Sequence, residues 1–289
     1  MIYYASKTHN TLNGRRYDPE TEVQTICVNP YYPVSVMEGT RLLIDSGAFQ
    51  DVGEDTRLSF EDALKRQLAL EERIGIQAEA IVSYDRLVDE QLEDGKQIKR
   101  RATEEEGEAC VRETIEAAKY LASQREGLAP RKLILSCQGT TTEQYLRCIR
   151  EVLQVARPGD IIGLGGFCII SKSKEAEAQF YEVIRKGFPL IASADIDRVH
   201  IFGVGIFRAL IQAETVAKAH GITCSYDTSG YEVSAVFGKV LDPIKGQITQ
   251  VYDKAQKSRE YIPAELAKFN IGMVAEYWRR FDRMLEAIA

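Results

Sequence analysis

Eight short apolar runs, separated by stretches with helical periodicity, are the feature of this 289-residue sequence that most restricts its fold. The runs are Ile2–Tyr4, Gln24–Val28, Leu42–Ile44, Ala80–Ser83, Leu133–Ser136, Ile161–Leu164, Val199–Phe202 and Thr223–Tyr226. Several are continuously apolar, which is typical of parallel strands buried on both faces. Strands that alternate with helices form a parallel α/β sheet, and eight such units are what a closed barrel needs. We therefore predict an α/β protein with a (β/α)8 TIM-barrel fold.

Helical periodicity predicts five helices between these strands and two more after the last one. The predicted helices are Phe60–Ile74, Lys96–Gln124, Glu143–Val155, Lys174–Ile184, Phe207–Ala219, Gln250–Tyr261 and Ala264–Ala289. The stretch Asn10–Glu20 is rich in turn residues and predicts no helix, and Asp242–Gly246 is turn-prone. In the last helix, an apolar stripe of Phe269, Met273, Tyr277, Phe281 and Leu285 predicts packing on the barrel. We expect one barrel domain over residues 1–289, in which residues 232–289 form a C-terminal helical extension without a zinc subdomain.

Composition favours a folded protein of the cytoplasm. Hydrophobic residues make up 45% and charged residues 28% of the chain, as in average globular domains. No segment approaches the ~18 apolar residues of a membrane helix, and the first residues lack a signal-peptide pattern. The six cysteines form no CxxC pair, and the three histidines are not spaced as metal ligands. We expect reduced cysteines in the core, a cytoplasmic location, no membrane partner, no metal and no cofactor.

The net charge of −6 argues against a protein that coats nucleic acid, but it allows a local basic face. Three runs are basic: Lys96, Lys99, Arg100 and Arg101; Lys254, Lys257 and Arg259; and Arg279, Arg280 and Arg283. Each run is equally compatible with a solvated helix face that neighbouring acids balance. We select the last run as the candidate contact with a nucleic-acid backbone.

Polar residues and glycines follow directly after six of the predicted strands. These segments are Asp45–Gln50, Tyr84–Asp85, Cys137–Gly139, Gly165–Phe167, Gly203–Gly205 and Asp227–Gly230. In parallel barrels the active site forms at the carboxyl ends of the strands, so we expect these residues on one rim. A single aspartate in such a place is often a turn former or a helix cap. The joint pattern, with three carboxylates and an amide, indicates a site.

Two carboxylates on different strands suit chemistry at the anomeric carbon of a sugar. One carboxylate attacks C1′ to form a covalent glycosyl-enzyme, and the other transfers the proton of the leaving and incoming groups. Asp85 and Gln138 are suited to the donors and acceptors of a purine-like base. Gly165 and Gly166 let backbone groups approach a flat heterocycle closely, and Phe49 is placed to stack on it.

The same segments resemble the signature motifs of the tRNA-guanine transglycosylases, in the order of that family. Asp45-Ser46-Gly47-Ala48-Phe49-Gln50 resembles DSGGFQ, Tyr84-Asp85 resembles FDE, Cys137-Gln138-Gly139 resembles VQGG, Gly165-Gly166-Phe167 resembles GGL, and Phe202-Gly203-Val204-Gly205 resembles MGVG. Asn29 is similar to the asparagine of the NTYHL segment, and Asp227 stands where the family has its nucleophile. The resemblance extends over residues 27–227.

The resemblance implies a role for each of these residues. Asp227 is the implied nucleophile and Asp45 the implied general acid and base. Asp85, Gln138, Gly165 and Gly166 are the implied base-binding groups, with Ser46 assisting, Phe49 stacking and Asn29 in support. Considered without the resemblance, Gln138 is also suited to cap a helix and Asn29 to order a turn.

The sequence departs from the tRNA-acting enzymes after Asp227. Thr228-Ser229-Gly230-Tyr231 replaces their CVxPTR segment, and no cysteine follows that could build their CxCxxC zinc site. In these respects the chain looks like the DNA 7-deazaguanine transglycosylases. That resemblance implies a pentosyltransferase that exchanges guanine in DNA for a 7-deazaguanine base such as preQ0 or a derivative.

Three alternatives stay open at this point. They are a tRNA-guanine transglycosylase, a non-catalytic nucleic-acid-binding paralogue that acts as a subunit, and a barrel glycoside hydrolase. The last usually pairs glutamates with aromatic sugar platforms, which this sequence does not show. A partner protein and a homodimer are both compatible with the sequence.

Overall fold

Eight parallel strands close into a barrel in the computed structural model, which describes residues 1–12, 14–52, 57–89, 91–93, 96–98, 100–168, 170, 173–242, 247–251 and 263–288. The barrel strands are β1 (Ile2–Lys7), β2 (Thr25–Val28), β3 (Arg41–Ile44), β4 (Ala80–Val82), β5 (Lys132–Cys137), β6 (Ile161–Leu164), β7 (Arg198–Ile201) and β8 (Thr223–Thr228). Consecutive strands pair in parallel, and β1 pairs with both β2 and β8. The predicted TIM barrel is confirmed, with small shifts at the strand ends.

Helices connect most of these strands on the outside of the barrel. They are α1 (Phe60–Ile74), α2 (Glu104–Ser123), α3 (Arg125–Leu128), α4 (Thr142–Leu153), α5 (Lys174–Ser193), α6 (Phe207–Ala219), α7 (Gly230–Val236) and α8 (Pro263–Ile288). The predicted start of α2 at Lys96 is wrong, because Thr103 and Glu106 form a capping box that begins the helix at Glu104. Helix α5 passes the predicted end at Ile184, because Phe188 and Ile191 continue its buried face.

Three short antiparallel ribbons lie outside the barrel. Their strand pairs are Thr11–Leu12 with Arg15–Arg16, Gln91–Glu93 with Lys96–Ile98, and Lys239–Asp242 with Gln247–Gln250. The first ribbon and a 3-10 turn at Pro19–Thr21 occupy the turn-rich stretch between β1 and β2, where no helix was predicted. The predicted helix over Gln250–Tyr261 lies outside the described residues except at its start, where Gln250 ends a ribbon strand. Residues 243–246 of the turn-prone segment also lie outside them.

Helix α8 lies along the barrel from one end to the other. Near the carboxyl end of β8, Asn270 Nδ2 donates to the Tyr231 carbonyl at 3.2 Å. Twelve residues later, about 18 Å along a helix, Asp282 Oδ1 is 3.4 Å from the amino group of Met1, which precedes β1. The distal half of α8 therefore lies at the amino-terminal end of the barrel.

The buried face of α8 matches the predicted stripe in part. Phe281 belongs to the main hydrophobic cluster of the barrel and Tyr277 packs against it, but Phe269 is exposed and the side chain of Leu285 lies outside the described residues. Ile271, Val274 and Trp278, which the stripe did not include, also belong to the cluster. Trp278 Nε1 donates to the Tyr226 hydroxyl at 2.7 Å, so the polar group of the indole has a buried partner. Among the described helices, none has both the length and the apolar character needed to cross a bilayer.

Candidate active site

A cavity of about 330 Å³ lies at the carboxyl-terminal rim of the barrel. Most of the predicted site residues line it: Asn29, Asp45, Ser46, Phe49, Asp85, Gly165, Gly166 and Asp227. They come together because each lies at or just after the end of a parallel strand, and all eight strands end on the same rim. The volume lies at the lower end of the range for pockets that bind small ligands.

Asp227 lies at the end of β8 and is hydrogen-bonded from both sides. Its Oδ2 accepts from Ser6 Oγ at 2.9 Å. Its Oδ1 accepts from the Gly203 N–H at 3.2 Å and lies 3.3 Å from His200 Nε2. The side chain is 16% exposed, so the carboxylate is accessible from the cavity although its orientation is fixed.

Asp45 follows β3 and is partly buried beside Asp227. Asn29 Nδ2 donates to its Oδ2 at 2.9 Å, so Asn29 contacts the Asp45 carboxyl group directly. Burial and the negative charge of Asp227 raise the pKa of Asp45, although hydrogen bonds from the Ser46 and Gly47 backbone and from Asn29 oppose the shift. A raised pKa suits a carboxyl group that must take up and release a proton.

The turn after Asp45 depends on its glycine. Gly47 has a φ of +79°, and a Cβ there would lie 2.7 Å from the Arg66 guanidinium. Ala48 fits the next position as a buried residue, and its N–H donates to Ser46 Oγ at 3.2 Å. Ser46 thus orders the turn from the cavity wall, and Phe49, which is 36% exposed, lines the opening.

Asp85 is a buried carboxyl group in the wall of the cavity. Burial, followed by the charge of Asp45, raises its pKa to about 7, although Gln138 and Arg57 oppose the shift. Gln138 Nε2 donates to Asp85 Oδ2, and Gln138 Oε1 accepts the Val88 N–H at 3.0 Å. Gln138 is fully buried and does not line the cavity. It was predicted to contact the base, and the structure places it behind Asp85 instead.

Gly165 and Gly166 follow β6 and form one wall. A Cβ on Gly165 would lie 3.1 Å from Gln138 Nε2, and one on Gly166 would lie 2.5 Å from the Val88 side chain. The Gly165 carbonyl accepts from the Tyr145 hydroxyl at 2.8 Å, and the Gly166 carbonyl accepts from Arg101 at 3.3 Å. Among the described residues, none accepts the Gly166 N–H.

Three residues around the site, Ser6, His200 and Asp89, were not singled out from the sequence, and Gly203 was expected on the rim without a role. Ser6 and Gly203 donate to Asp227, His200 lies behind it, and Asp89 is a further buried acid in the wall. Asp89 Oδ2 accepts the Cys168 N–H at 2.8 Å, and burial raises its pKa. A longer first strand would have identified Ser6 as a rim residue. His200 could have been noticed in the sequence because it is a single histidine within a predicted buried strand.

The basic residues are not gathered at the cavity. The side chains of Arg279, Arg280 and Arg283 are exposed and lie 3.3, 2.7 and 3.6 Å from Glu276. They flank Asp282, whose contact with Met1 places them at the far end of the barrel. Arg100 pairs with Glu106, and Arg101 donates to carbonyls of the chain. Lys99, Lys254, Lys257 and Arg259 lie outside the described residues, as does the side chain of Lys96.

Cys168 also differs from its prediction. Five of the six cysteines are buried as expected, but Cys168 is exposed at the edge of the cavity, beside Gly203. The strand that precedes it ends at Leu164, so residue 168 lies in the loop above the rim and not in the core.

Comparisons with known proteins give distant structural likenesses but no match at the level of sequence family. No family model matches the sequence, and no curated protein matches it. Among solved structures, the chain is similar to one described as "Structure of L-ribulose 3-epimerase". The two share 15% sequence identity over 98% of this chain and 97% of the other, with a TM-score of 0.42. A likeness of this degree carries no inference about activity.

Proposed function

We propose that this protein is a base-exchange enzyme, a pentosyltransferase that replaces guanine in DNA by a 7-deazaguanine base through a covalent bond to Asp227. The observation that carries the proposal is the presence of two carboxyl groups in different surroundings on one cavity. Asp227 is held by donors on both oxygens. Asp45 has a raised pKa. One is suited to attack and the other to carry a proton.

The reaction is a double displacement at the sugar. A carboxylate oxygen of Asp227 bonds to C1′, the bond from C1′ to the base nitrogen breaks, and the base takes the electron pair and a proton from Asp45. The incoming base then gives its proton to Asp45 and attacks C1′. The bond to Asp227 breaks, its electron pair returns to the carboxylate, and two inversions leave the configuration retained.

Base selection depends on Asp85 and the Gly166 backbone. Guanine presents two adjacent donors, N1–H and the 2-amino group, next to the acceptor O6. An ionised Asp85 accepts from the donors, and the Gly166 N–H donates to O6. Gln138 holds Asp85 in place from behind. Phe49 stacks on the base at the opening of the cavity.

DNA is favoured over tRNA by the segment directly after Asp227, Thr228-Ser229-Gly230-Tyr231, which differs from the CVxPTR segment of the tRNA-acting enzymes. A duplex base must be flipped out to enter a barrel rim, at a cost of roughly a few kcal/mol. Backbone contacts would have to lie near the rim. The exposed Arg15 and Arg16 lie in the ribbon that follows the carboxyl end of β1, and Arg16 pairs there with Asp18; Arg279, Arg280 and Arg283 lie at the other end of the barrel.

The test is exchange of labelled guanine, measured side by side in single-stranded DNA, duplex DNA and tRNA. We expect exchange in DNA and a protein–DNA adduct that survives a denaturing gel. Faster exchange in tRNA would reject the choice of polymer. The absence of exchange and adduct with every polymer would reject the enzyme and favour the non-catalytic subunit.

A further inference from the structure

His200 is a fully buried histidine in the middle of β7. The Tyr4 and Phe202 rings lie edge-on to the imidazole, with centroids 5.8 and 4.6 Å away, which fixes the plane of the ring. His200 does not line the cavity, so no ligand there needs to contact it. Burial of a polar ring is costly unless its nitrogens find partners. Here Nδ1 lies 2.9 Å from Ser225 Oγ and Nε2 lies 3.3 Å from Asp227 Oδ1.

The neighbours of the ring determine which nitrogen carries the proton. Ser225 has one hydroxyl hydrogen and two acceptors in reach, His200 Nδ1 at 2.9 Å and the Val199 carbonyl at 3.2 Å. With a proton on Nδ1 alone, the lone pair of Nε2 would face the Asp227 carboxylate and repel it. With a proton on Nε2, the ring donates to Asp227 and Nδ1 accepts from Ser225. A carboxylate at Asp227 therefore selects an Nε2–H.

The two oxygens of Asp227 consequently differ. Oδ1 receives two N–H groups, from Gly203 and from His200, and both are fixed by the backbone or by packing. Oδ2 receives the rotatable hydroxyl of Ser6. Oδ2 retains more lone-pair density, so it is the better nucleophile.

We propose that His200 is a positioning residue that holds Oδ1 and leaves Oδ2 to attack the sugar, an inference that rests on the proposed function. In the covalent intermediate Oδ1 is then the carbonyl oxygen of the ester. When the bond from Oδ2 to C1′ breaks, the electron pair returns to the carboxylate. The N–H groups of His200 and Gly203 stabilise the negative charge that spreads onto Oδ1, as in an oxyanion hole.

The first experiment compares His200→Phe with His200→Gln. Phenylalanine keeps a planar ring but has no donor, whereas the glutamine amide offers an N–H near the position of Nε2. We expect His200→Phe to lower kcat by about 100-fold, the usual effect of removing one such donor. The dissociation constant for guanine should stay within about twofold of the parent value, because His200 is outside the binding cavity. His200→Gln should recover part of the lost kcat.

A merely structural role predicts a different pattern. The two variants would then lose activity alike, and kcat and guanine affinity would change together with the fraction of folded protein. Equal activity of His200→Phe and His200→Gln, or an unchanged kcat in His200→Phe, would overturn the proposal.

The second experiment needs neither a variant nor catalysis. Nitrogen-15 NMR of the histidine side chains in the parent protein identifies the protonated nitrogen of His200. The proposal requires a proton on Nε2, and a proton on Nδ1 alone would refute it. If the parent shows no base exchange, the proposed function fails separately, and the NMR result still decides whether His200 donates to Asp227.

Discussion

Replacement of Asp85 by asparagine should stabilise the protein, and it should do so more strongly as the pH rises. In the folded protein, burial raises the pKa of Asp85 from 3.8 to about 7. An unfolded chain thus ionises this group at a lower pH than the folded protein does. The stability that the protonated carboxyl contributes is present below pH 4 and is lost as the pH rises through about 7. The asparagine side chain retains an oxygen that can accept a hydrogen bond from Gln138, but the side chain cannot ionise.

The size of the effect follows from the pKa difference. Between the two pKa values, each pH unit changes the free energy of unfolding by ~1.4 kcal/mol. From pH 5 to pH 7, the difference in stability between Asp85→Asn and the parent should therefore grow by about 2 kcal/mol. Other groups also titrate in this range, but they do so in both proteins. The difference in the free energy of unfolding between the two proteins therefore reports the ionisation of Asp85.

The assay is urea unfolding of both proteins at pH 5, 6 and 7. The control is Asp197→Asn, the same substitution at an exposed aspartate directly before β7. A constant difference for Asp85→Asn over this range would show that Asp85 is already ionised at pH 5. The pKa argument and the pH dependence of base binding would then both be wrong.

Four further results are expected. Guanine should bind more tightly as the pH rises through about 7, because the ionised form of Asp85 accepts the donors of the base; calorimetric titration at pH 6 and pH 8 measures this. Asp227→Asn should abolish the covalent adduct while changing stability by no more than ~1 kcal/mol, and an adduct in that variant would assign the nucleophile elsewhere. Activity should survive a chelator and elemental analysis should find no stoichiometric zinc, since the cysteines and histidines of the sequence give no four-ligand set. Charge reversal of Arg15 and Arg16 should weaken binding to all DNA sequences and flatten its salt dependence, whereas the matched reversal of Arg279, Arg280 and Arg283 should leave both unchanged.

The barrel could be predicted from the sequence because several of its strands are buried on both faces and are therefore continuous apolar runs, and because they recur in alternation with helices. The end of the first strand could not be predicted from the sequence. The apolar run ends at Ala5 and the prediction ended at Tyr4, yet β1 continues through the polar Ser6 to Lys7. Lys7 is buried there because Glu20 and the Ser35 carbonyl, from later in the chain, bind its ammonium group at 2.8 Å. The local sequence around Lys7 does not show that these later residues bind its ammonium group and allow it to be buried.

The positions of the candidate carboxyl groups, Asp45, Asp85 and Asp227, could be predicted because each lies at or just after a strand end. The individual roles of the residues that lie behind these carboxyl groups could not be predicted. Gln138 lies directly after β5, as a base-binding residue would, but its side chain is taken up by Asp85 and Val88. His200 lies one residue before the end of β7, and its role depends on Ser225 and Asp227 of the next strand.

The burial of Gln138 has a consequence for selectivity. An exposed amide at this place could rotate and offer either its donor or its acceptor to a base, so it would tolerate both guanine and adenine. Both polar atoms of its side chain are engaged, so in the proposed function the base edge meets the Asp85 carboxyl and the Gly166 N–H instead. Adenine would set its N1 lone pair against the ionised carboxylate and its 6-amino group against the N–H donor. Each mismatch leaves a buried polar group unpaired at a cost of about 1–3 kcal/mol. In the proposed function, a fixed Gln138 therefore makes Asp85 an acceptor that discriminates guanine from adenine. Gln138→Ala frees Asp85 to move. This variant should reduce the preference for guanine over adenine more than it reduces the rate of exchange.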